Sequence, residues 1–345
     1  MDLRSLTLPE LEKICTDTLQ IPKYRAKQIF TWLHVHLAES IDEMTNLPLS
    51  LRQDLRERFS LSTITTVTRQ VSAIDGTEKY LFSMHDGEQI ESVLMRYRYG
   101  LSLCISSQAG CRMGCTFCAS TLGGLSRNLT AGEMLLQVYA VQKAAGERIS
   151  HLVLMGTGEP LDNLDEVLRF ITLLTDENGQ ALGRRNITLS TCGLVPGIDR
   201  LAQEKLPITL ALSLHAPTDE KRRRIMPVAK TYSIEDLMQA CERYFETTGR
   251  RITFEYSLIR GENDTEKDAE DLSALARRVH AHVNLIPVNP VRENSYREST
   301  AENVRQFAAR LEKNKVNVSI RRVLGRDIDG ACGQLRHKFM KDRNE

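Results

Sequence analysis

Three of the eight cysteines of the chain stand close together in the segment CRMGCTFC, at Cys111, Cys115 and Cys118. We call residues 111–118 the cysteine loop. The N-terminus, MDLRSLTLPELEK, has no apolar stretch typical of an export signal, so we expect a cytoplasmic protein whose thiols stay reduced. A disulfide framework is therefore the poorer interpretation of these cysteines, and metal or redox chemistry is the better one.

A zinc ion and an iron–sulfur cluster are the two metal centres that this spacing could hold. Structural zinc sites are closed by four ligands, which usually arrive as two pairs. No further His or Cys follows the cysteine loop at ligand spacing, and the nearest remaining cysteine, Cys104, stands upstream in an apolar, strand-like run. Three thiolates on a cube-shaped iron–sulfur cluster would leave one iron open to a small molecule. The sequence therefore favours an open cluster over a closed zinc site.

The elements that must position this loop follow a repeating pattern. From about residue 101, strand-like runs alternate with helical patterns; the strand-like runs are LSLCISS, SHLVLMG, NITLST, ITLALSL, RITFEYSLI and HVNLIPV, with a further one near VNVSIRRV. Thr130 and Glu133 form a capping box for the first helix. The other predicted helices are LDEVLRFITLL, SIEDLMQACERYFETT, KDAEDLSALARRVH and AENVRQFAARLEK. Six βα units indicate a parallel sheet and fall short of a closed barrel of eight, so residues 100–345 are predicted to form an open, partial (β/α)6 barrel of the α/β class.

Two smaller units are predicted before the barrel. Residues 1–58 have the pattern of a helical domain, in which Thr7 and Glu10 cap the first helix and the segments KYRAKQIFTWLHVHL and SLRQDLRERF form two more. Residues 59–99 change to a period of two, and IDGT and HDGE separate three β-rich runs. An Asp-Gly pair between such runs is typical of a hairpin. We therefore predict a small antiparallel β extension, joined to the barrel near Gly100.

Polar and glycine-containing motifs follow several of the predicted barrel strands. Functional residues of such folds stand at the carboxyl ends of the strands. Each motif alone is usually structural, but their shared position predicts a cofactor-binding site. The residues are Gly158 and Glu159 of GTGEP after the second strand, Ser190 at the end of the third, Ser213, Leu214 and His215 at the end of the fourth, and Asn289 after the sixth.

The CxxxCxxC spacing on a loop after the first strand of a partial barrel resembles the signature of the radical S-adenosylmethionine (SAM) enzymes. The resemblance implies that Cys111, Cys115 and Cys118 hold a 4Fe-4S cluster whose free iron chelates the methionine moiety of SAM. It also implies that one electron cleaves SAM to a 5′-deoxyadenosyl radical. The GEP loop of that family contacts the methionine amino group, a role that the resemblance gives to Gly158 and Glu159 here.

A narrower resemblance covers essentially the whole chain. The segments DIDGACGQL, LCISSQAGC, GTGEP, SLHAP, IPVNP and KYRAKQI together are similar to those of the RlmN/Cfr family of RNA adenine methyltransferases. Two departures are Thr157, where many members have Met, and Gly330, where many have Ala. GEP with Pro160, together with IPVNP, resembles the RlmN branch, which methylates carbon 2 of adenine; the Cfr branch, which methylates carbon 8 and confers antibiotic resistance, is the alternative.

The resemblance assigns three residues to the reaction. Cys332 would take a methyl group from a first SAM, and the radical made from a second SAM would activate that methyl for addition to the adenine. Glu91 matches the proton acceptor of the family, and Cys104 matches the thiol that releases the product by a transient disulfide with Cys332. Taken alone, Cys104 would be a buried structural thiol, Cys332 a loop thiol and Glu91 a solvated strand carboxylate.

Three other cysteines and one histidine receive plainer interpretations. Cys15, Cys192 and Cys241 are interpreted as core or incidental thiols. His215 is expected to offer backbone contacts to the cofactor and not to act as a base.

RNA is the expected partner, although the formal net charge is only +1. Binding must then come from local basic clusters, such as EKRRRIMP and the tail RHKFMKDR. The resemblance implies 23S rRNA as substrate, with an adenine beside the tRNA anticodon in some members, and a low-potential electron donor such as flavodoxin or ferredoxin. We expect a monomer without a membrane span and a helical unit that docks RNA. A zinc-stabilised RNA-binding module without catalysis is the alternative from another class.

Overall fold

The computed structural model describes residues 1–287, 296–328, 333–336 and 339. Within these ranges the strands form one ten-stranded mixed sheet and one two-stranded ribbon. Helices cover the sheet, and the main apolar core runs without interruption from the N-terminal helices into the barrel. None of the helices in the described ranges combines the length and the apolarity that a membrane crossing requires.

The N-terminal unit consists of three α-helices, and the segments between them contain a π-helix at Ile14–Thr18 and a 3-10 helix at Ile41–Glu43. The three α-helices are α1 (Leu8–Lys13), α2 (Tyr24–His34) and α3 (Leu49–Arg58). The predicted capping box of α1 is confirmed, since the Glu10 carboxylate accepts the N–H of Thr7 at 2.8 Å. Helix α2 ends earlier than its predicted segment because Leu37 adopts a left-handed φ of 56°, which a right-handed helix cannot continue.

Helix α2 fixes this unit to the barrel through a buried histidine. His34 Nδ1 stands 2.7 Å from the hydroxyl of Tyr139, a barrel residue, and the ring of Phe30 packs 4.3 Å from the imidazole. Burial, helped by the charge of Arg4, lowers the pKa of His34 to about 3. The imidazole is therefore neutral in the folded protein at neutral pH.

The β extension is continuous with the barrel sheet. Its strands are β1 (Ile64–Val71), β2 (Glu78–Met84) and β3 (Gln89–Tyr97), and they pair antiparallel in sequence order. Strand β3 then pairs antiparallel with the first barrel strand, β4 (Gly100–Cys104), through a tight turn in which Tyr97 faces Gly100. Gly100 has a φ of 120°, which favours glycine. The division at residues 58 and 99 stays a prediction, and the sheet itself runs across residue 99.

The barrel strands lie side by side in parallel, in the order in which they occur along the chain. The remaining strands are β5 (Gln108–Gly110), β6 (Leu125–Asn128), β7 (Ile149–Leu154), β8 (Ile187–Thr191), β9 (Thr209–Ser213), β10 (Thr253–Leu258), β11 (His282–Pro287) and β12 (Val318–Ile320). Strands β4 and β7–β12 form the parallel part, and β5 with β6 forms the separate ribbon. In the described residues the two edge strands, β1 and β12, do not pair with each other, so the sheet stays open. The predicted α/β fold with a partial barrel is confirmed.

Helices connect the parallel strands on the outside of the sheet. They are α4 (Ala131–Ala145), α5 (Leu164–Leu174), α6 (Val195–Gln203), α7 (Asp219–Ile225), α8 (Ile234–Thr248), α9 (Glu266–Arg278) and α10 (Ala301–Lys313). The capping box of α4 is confirmed, because Glu133 accepts the N–H of Thr130 and its own N–H donates to the Thr130 hydroxyl. Helices α6 and α7 were not among the predicted ones; α6 carries Pro196 in its first turn, and α7 has only seven residues.

Acidification is predicted to destabilise the docking of α2. The unfolded chain takes up a proton at His34 near pH 6.5, whereas the folded protein does so only near pH 3, so stability is lost as the pH falls below about 6.5. Between pH 7 and pH 5 this residue should cost on the order of 2 kcal/mol of unfolding free energy. Denaturant titrations should find that His34→Gln loses correspondingly less stability over that interval. His36→Gln, which replaces an exposed histidine just beyond α2, is the matched control, and equal losses in wild type and His34→Gln would contradict the account.

Candidate active site

The cysteine loop lies between the strands of the β5–β6 ribbon, beyond the carboxyl end of β4. Its backbone closes on itself, since the N–H of Cys118 donates to the carbonyl of Cys115 at 3.1 Å. The hydroxyl of Thr121 donates to the carbonyls of Cys115 and Cys118. From outside the loop, the carbonyl of Ile225 in α7 accepts the N–H of Thr116 at 3.0 Å. The loop is therefore held at defined points rather than left as a free connection.

A cavity of about 320 Å³ opens at the carboxyl ends of the barrel strands. Its volume is in the range of small-molecule sites, and apolar side chains dominate its walls. Nine of the predicted site residues line it: Cys104, Cys111, Cys115, Cys118, Gly158, Glu159, Ser190, Ser213 and His215. Glu91 and Leu214 do not line it. Cys332 and Asn289, together with Gly330, lie outside the described residues.

The thiols of the cysteine loop stand in surroundings that disfavour their charged form. Burial raises the pKa of Cys111 to about 12, and burial together with the neighbouring thiols raises the pKa of Cys115 further. A bound metal reverses this preference, because a coordinated thiol is deprotonated. Binding of a metal would therefore stabilise the thiolate form that these surroundings disfavour.

The GTGEP loop packs directly on the chain that leads into the cysteine loop. A Cβ on Gly156 would stand 2.6 Å from the carbonyl oxygen of Ile105, and one on Gly158 would stand 2.6 Å from the Cβ of Gln108. Gly158 also has a φ of 109°. Both positions require glycine, so that two backbone segments can approach each other at the cavity wall.

Glu159 is buried at the end of this loop, and its carboxylate binds main-chain groups. Its Oε2 accepts the N–H of Cys192 at 2.7 Å, and its Oε1 accepts the N–H of Leu161 at 3.1 Å. Burial raises its pKa, and these hydrogen bonds act in the opposite direction. The residue thus ties the ends of β7 and β8 together at the cavity.

The ends of β8 and β9 place two hydroxyls and one imidazole in the cavity. The hydroxyls of Ser190 and Ser213 stand 3.2 Å apart. His215 Nδ1 accepts the N–H of Ser257 at 3.0 Å, and burial lowers the pKa of His215 to about 3. Since Nδ1 is an acceptor, the neutral ring carries its proton on Nε2. The ring of Phe117, inside the cysteine loop, stands edge-on to this imidazole with ring centroids 4.9 Å apart.

Glu91 is buried and is not the solvated carboxylate that its strand position alone suggested. Its Oε2 stands 2.8 Å from Nζ of Lys79, itself completely buried. The same carboxylate accepts the N–H of Gly333 at 2.7 Å and the N–H of Arg336 at 2.5 Å. Glu91 therefore binds the start of the helical turn that directly follows Cys332 in the sequence.

Gly333 also touches the chain just beyond the cysteine loop. It has a φ of 80°, and a Cβ there would stand 2.7 Å from the carbonyl carbon of Ala119 and 2.8 Å from the hydroxyl oxygen of Ser120. Ala119 follows Cys118 directly. The residue after Cys332 is thus packed against the residue after the last cysteine of the loop.

Cys104 ends β4 and lines the same cavity, with 5% of its surface exposed. Its strand neighbours are Val93 and Val153. Burial agrees with a structural thiol, and the position at the cavity agrees with a reacting one.

Comparisons with known proteins identify the family. The model described as the Radical SAM superfamily matches residues 105–276, and the Ribosomal RNA large subunit methyltransferase N-terminal domain matches residues 1–61. A probable dual-specificity RNA methyltransferase RlmN from Lachnospira eligens is 53% identical over 344 residues, covering 100% of this chain and 98% of the relative. Its namesake from Alkaliphilus oremlandii is 52% identical, covering 99% of each. A radical SAM methyltransferase from Sphaerobacter thermophilus superimposes with a TM-score of 0.92 at 45% identity, over 97% of this chain and 98% of that one. The chain belongs to the RlmN family.

The cofactors of an RlmN-family chain are a 4Fe-4S cluster and SAM, and the donor set at this site fits them. No three His, Cys, Asp or Glu side chains of the described residues are placed to share a single metal ion. A zinc site needs such convergence, with each sulfur about 2.3 Å from one ion. In a cubane cluster each cysteine binds a different iron, and the three thiols of the cysteine loop all line the one cavity.

Three cavity or near-cavity residues were missed by sequence reasoning. Glu255 and Cys192 line the cavity, and Arg222 is completely buried next to it. The alternation of side chains between the two faces of β10 was the pattern that could have indicated that Glu255 faces the cavity. Cys192 is buried as expected for a core thiol, but it also faces the cavity. Arg222 belongs to a basic cluster in which nothing distinguished it from its neighbours.

In this RlmN-family chain, Gly333→Ala is predicted to impair methyl transfer and to leave the cluster intact. The added Cβ collides with Ala119 and Ser120, so the segment after Cys332 must move away from the cysteine loop. Iron content and reductive cleavage of SAM should persist, while formation of methyladenosine should fall by at least about tenfold.

Gly146→Ala is the matched control for this substitution. Gly146 also has a positive φ, 65°, but a Cβ there meets nothing within 4 Å. It should therefore share the backbone strain without the collision. Equal product formation by Gly333→Ala and Gly146→Ala would show that the contact with Ser120 does not position Cys332.

Proposed function

We propose that this chain methylates carbon 2 of an adenine in 23S rRNA, and the adenine beside the anticodon of tRNA, with SAM as the methyl source. The observation that carries the proposal is the contact of Gly333 with the turn after Cys118, because it brings the neighbour of Cys332 to the cysteine loop. The relatives named dual-specificity RNA methyltransferase RlmN support RNA as the substrate and the RlmN branch over the Cfr branch.

The reactivity of carbon 2 explains why a radical enzyme is needed. This carbon stands between two ring nitrogens and is electron-poor, so it does not attack the sulfonium of SAM. A carbon radical can add to it. When bound, the 4Fe-4S cluster supplies the single electron that cleaves SAM to the 5′-deoxyadenosyl radical. The roles of Cys111, Cys115 and Cys118 are therefore to hold that cluster at the cavity wall.

The SAM site in this proposal is the wall formed by the ends of β7, β8 and β9. Gly156 and Gly158 let the loop that carries Glu159 pack closely against the chain at Ile105 and Gln108, at the cavity wall. Ser190 and Ser213 offer hydroxyls, and His215 offers a neutral Nε2–H donor. Leu214 is completely buried, and its N–H and carbonyl bind Glu255 and Arg222. Its contribution, like that of Asn289, stays a prediction.

Cys332 is proposed to carry the methyl group that becomes the product methyl. A polar transfer from SAM methylates its sulfur, and loss of one hydrogen atom from that methyl to the deoxyadenosyl radical leaves a methylene radical. Addition to carbon 2 then joins the RNA base to the protein and leaves the unpaired electron on the base. One electron must then pass to an acceptor, for which the oxidised cluster would serve, and the proton on carbon 2 must leave before the ring is aromatic again. Gly333 and Glu91 are the described residues that fix the neighbouring backbone for this step.

Cys104 is proposed to release the RNA. Its thiolate attacks the sulfur of Cys332, and the bond between that sulfur and the methylene carbon breaks. The electron pair stays with the carbon, which takes a proton and becomes the methyl group, while the two cysteines are left as a disulfide. The place of Cys104 on the wall of the same cavity supports this role.

Glu91 is proposed to accept the ring proton after addition. In the described arrangement both of its oxygens are engaged, one with Lys79 and Gly333 and the other with Arg336. These three donors use three of the roughly four lone-pair positions of a carboxylate, so one remains to accept the proton. We therefore propose that Glu91 both positions the Cys332 segment and acts as the base.

The remaining partners follow from the substrate and the chemistry. Ribosomal RNA and tRNA are cytoplasmic, so we propose that the chain acts in the cytoplasm, as a monomer. A low-potential donor of the flavodoxin or ferredoxin type would supply the electrons. Basic side chains on the helical unit, including Lys23 and Arg25, would contribute phosphate contacts, which makes RNA affinity fall steeply with salt.

The reaction with 23S rRNA tests this proposal. Protein with a reconstituted cluster, SAM and a reductant should convert an rRNA fragment to 2-methyladenosine, which chromatography and mass spectrometry of the digested nucleosides distinguish from 8-methyladenosine. The 8-methyl isomer would instead identify a Cfr-type activity. Cys332→Ala should keep its iron and make neither isomer.

A variant of Cys104 tests the release step in the same assay. Cys104→Ala should stop as a covalent protein–RNA adduct that survives denaturing electrophoresis and disappears with ribonuclease. Cys241→Ala, which removes a fully buried thiol of α8, should turn over normally. Normal turnover by Cys104→Ala would reduce that thiol to a packing residue.

A further inference from the structure

Helix α7 places a completely buried guanidinium beside the cysteine loop. Arg222 has none of its surface exposed. Its Nε donates to the carbonyl of Leu214 at 3.2 Å, and its Nη2 donates to the carbonyl of Cys192 at 2.5 Å. Its Nη1 is buried without a hydrogen-bond partner. The acceptors of this cation are thus neutral main-chain groups at the ends of β8 and β9.

No carboxylate among the described residues forms an ion pair with Arg222. Asp219, one turn earlier on α7, stands 3.9 Å from Arg223 instead. A buried charge without a counter-charge is strongly unfavourable, and burial accordingly lowers the pKa of Arg222. Among the residues that the structure describes, the carboxylates thus leave this buried charge without the negative group that would balance it.

The cysteines next to this guanidinium lie at the cavity. Nη2 of Arg222 binds the carbonyl of Cys192, and Cys192 belongs to the same small apolar cluster as Cys115. Cys115 packs with Ile225 and Met226 in one small apolar cluster. Together with the bond from Thr116 to Ile225, this packing fixes α7 against the cysteine loop.

We infer that Arg222 is the buried counter-charge of the iron–sulfur cluster held by the cysteine loop. The inference rests on the proposed ligation of that cluster by Cys111, Cys115 and Cys118. It adds a role that the transfer of a methyl group does not itself require, namely control of the ease with which the cluster takes up its electron.

The charge balance gives the direction of the effect. Three thiolates on an oxidised 4Fe-4S core of charge +2 give a net charge of −1. One electron from a low-potential donor makes this −2, and no proton is taken up. A fixed cation stabilises the state of −2 more than that of −1, and net charge with hydrogen bonding is what sets cluster potentials. Arg222 therefore raises the reduction potential of the cluster.

A purely structural role for Arg222 is the competing explanation. Its three carbonyl contacts, to Leu214, Cys192 and Ser213, join the ends of two strands of the cavity wall. An arginine that only joined these strands would affect stability and SAM binding, but not the potential of a cluster that is still fully assembled. The potential thus separates the two explanations.

Redox titration of the reconstituted protein, followed by electron paramagnetic resonance, tests the inference. Arg222→Gln keeps an N–H donor for the carbonyls and removes the charge, and Arg222→Lys keeps the charge. Arg224→Met removes an exposed charge from the same helix, where Arg224 pairs with Glu220 at 3.5 Å, and is the matched control.

With four irons per chain confirmed in each protein, Arg222→Gln should be reduced less readily than wild type. At the potential that half-reduces the wild type, its ratio of reduced to oxidised cluster should be about tenfold lower. Arg222→Lys and Arg224→Met should stay near the wild-type ratio. A fully loaded Arg222→Gln protein with the wild-type potential would overturn the inference. Arg222 would then have only the structural role of joining the ends of β8 and β9.

Two further outcomes are informative. If Arg222→Gln fails to fold, Arg222→Lys decides, because a fully loaded lysine variant with a clearly lower potential would overturn the role of the charge. A wild-type protein that assembles no cluster would instead refute the proposed ligation, and the inference with it. The iron count of the wild type therefore distinguishes failure of the inference from failure of the proposed function.

Discussion

The close approach of Gly333 to Ala119 and Ser120 is the contact on which the account depends. The chemistry needs a methyl-carrying sulfur and a radical source to meet in one cavity, although Cys332 and the cysteine loop are more than two hundred residues apart. Only a residue without a side chain allows the two backbones to touch at this point. Glu91 reinforces the contact, since its carboxylate also accepts the N–H of Gly333.

The β extension therefore belongs to the active site as well as to the sheet. Its strands supply Lys79 and Glu91, and the turn between β1 and β2 binds the chain that leads to Cys332. In that turn the hydroxyl of Ser72 donates to Asp327 at 2.6 Å, and the Asp75 carboxylate accepts the N–H of Gly325 at 2.9 Å. The C-terminal segment is thus held by the extension before and after the residue that is proposed to react.

Sequence reasoning succeeded where the pattern was local. The cysteine spacing, the capping boxes of α1 and α4, and the amphipathic repeats of α5 and α10 each involve residues within a few turns, and the structure has them at or near their predicted positions. The parallel direction of the barrel strands followed from the βα alternation, because parallel strands need such crossovers. The carboxyl ends of these parallel strands then had to lie at the same end of the sheet.

The parts that failed depend on packing between distant segments. Alternation in β3 showed that Glu91 faces one side of the strand, but not that Lys79 and the turn after Cys332 cover it. Of the four basic residues from Lys221 to Arg224, Arg222 is the completely buried one. The direction in which a short helix faces decides this, and α7 was not predicted. Neither arrangement can be inferred from the local sequence.

The fate of the hydrogens of the transferred methyl group tests the central claim most directly. With SAM whose methyl carries three deuterium atoms, the account predicts a product methyl with two deuterium atoms and 5′-deoxyadenosine with one. The third position of the product methyl should be filled from solvent when the bond to Cys332 breaks. Mass spectrometry of both products reads this directly. A product that keeps all three deuterium atoms, with unlabelled 5′-deoxyadenosine, would contradict the route through Cys332.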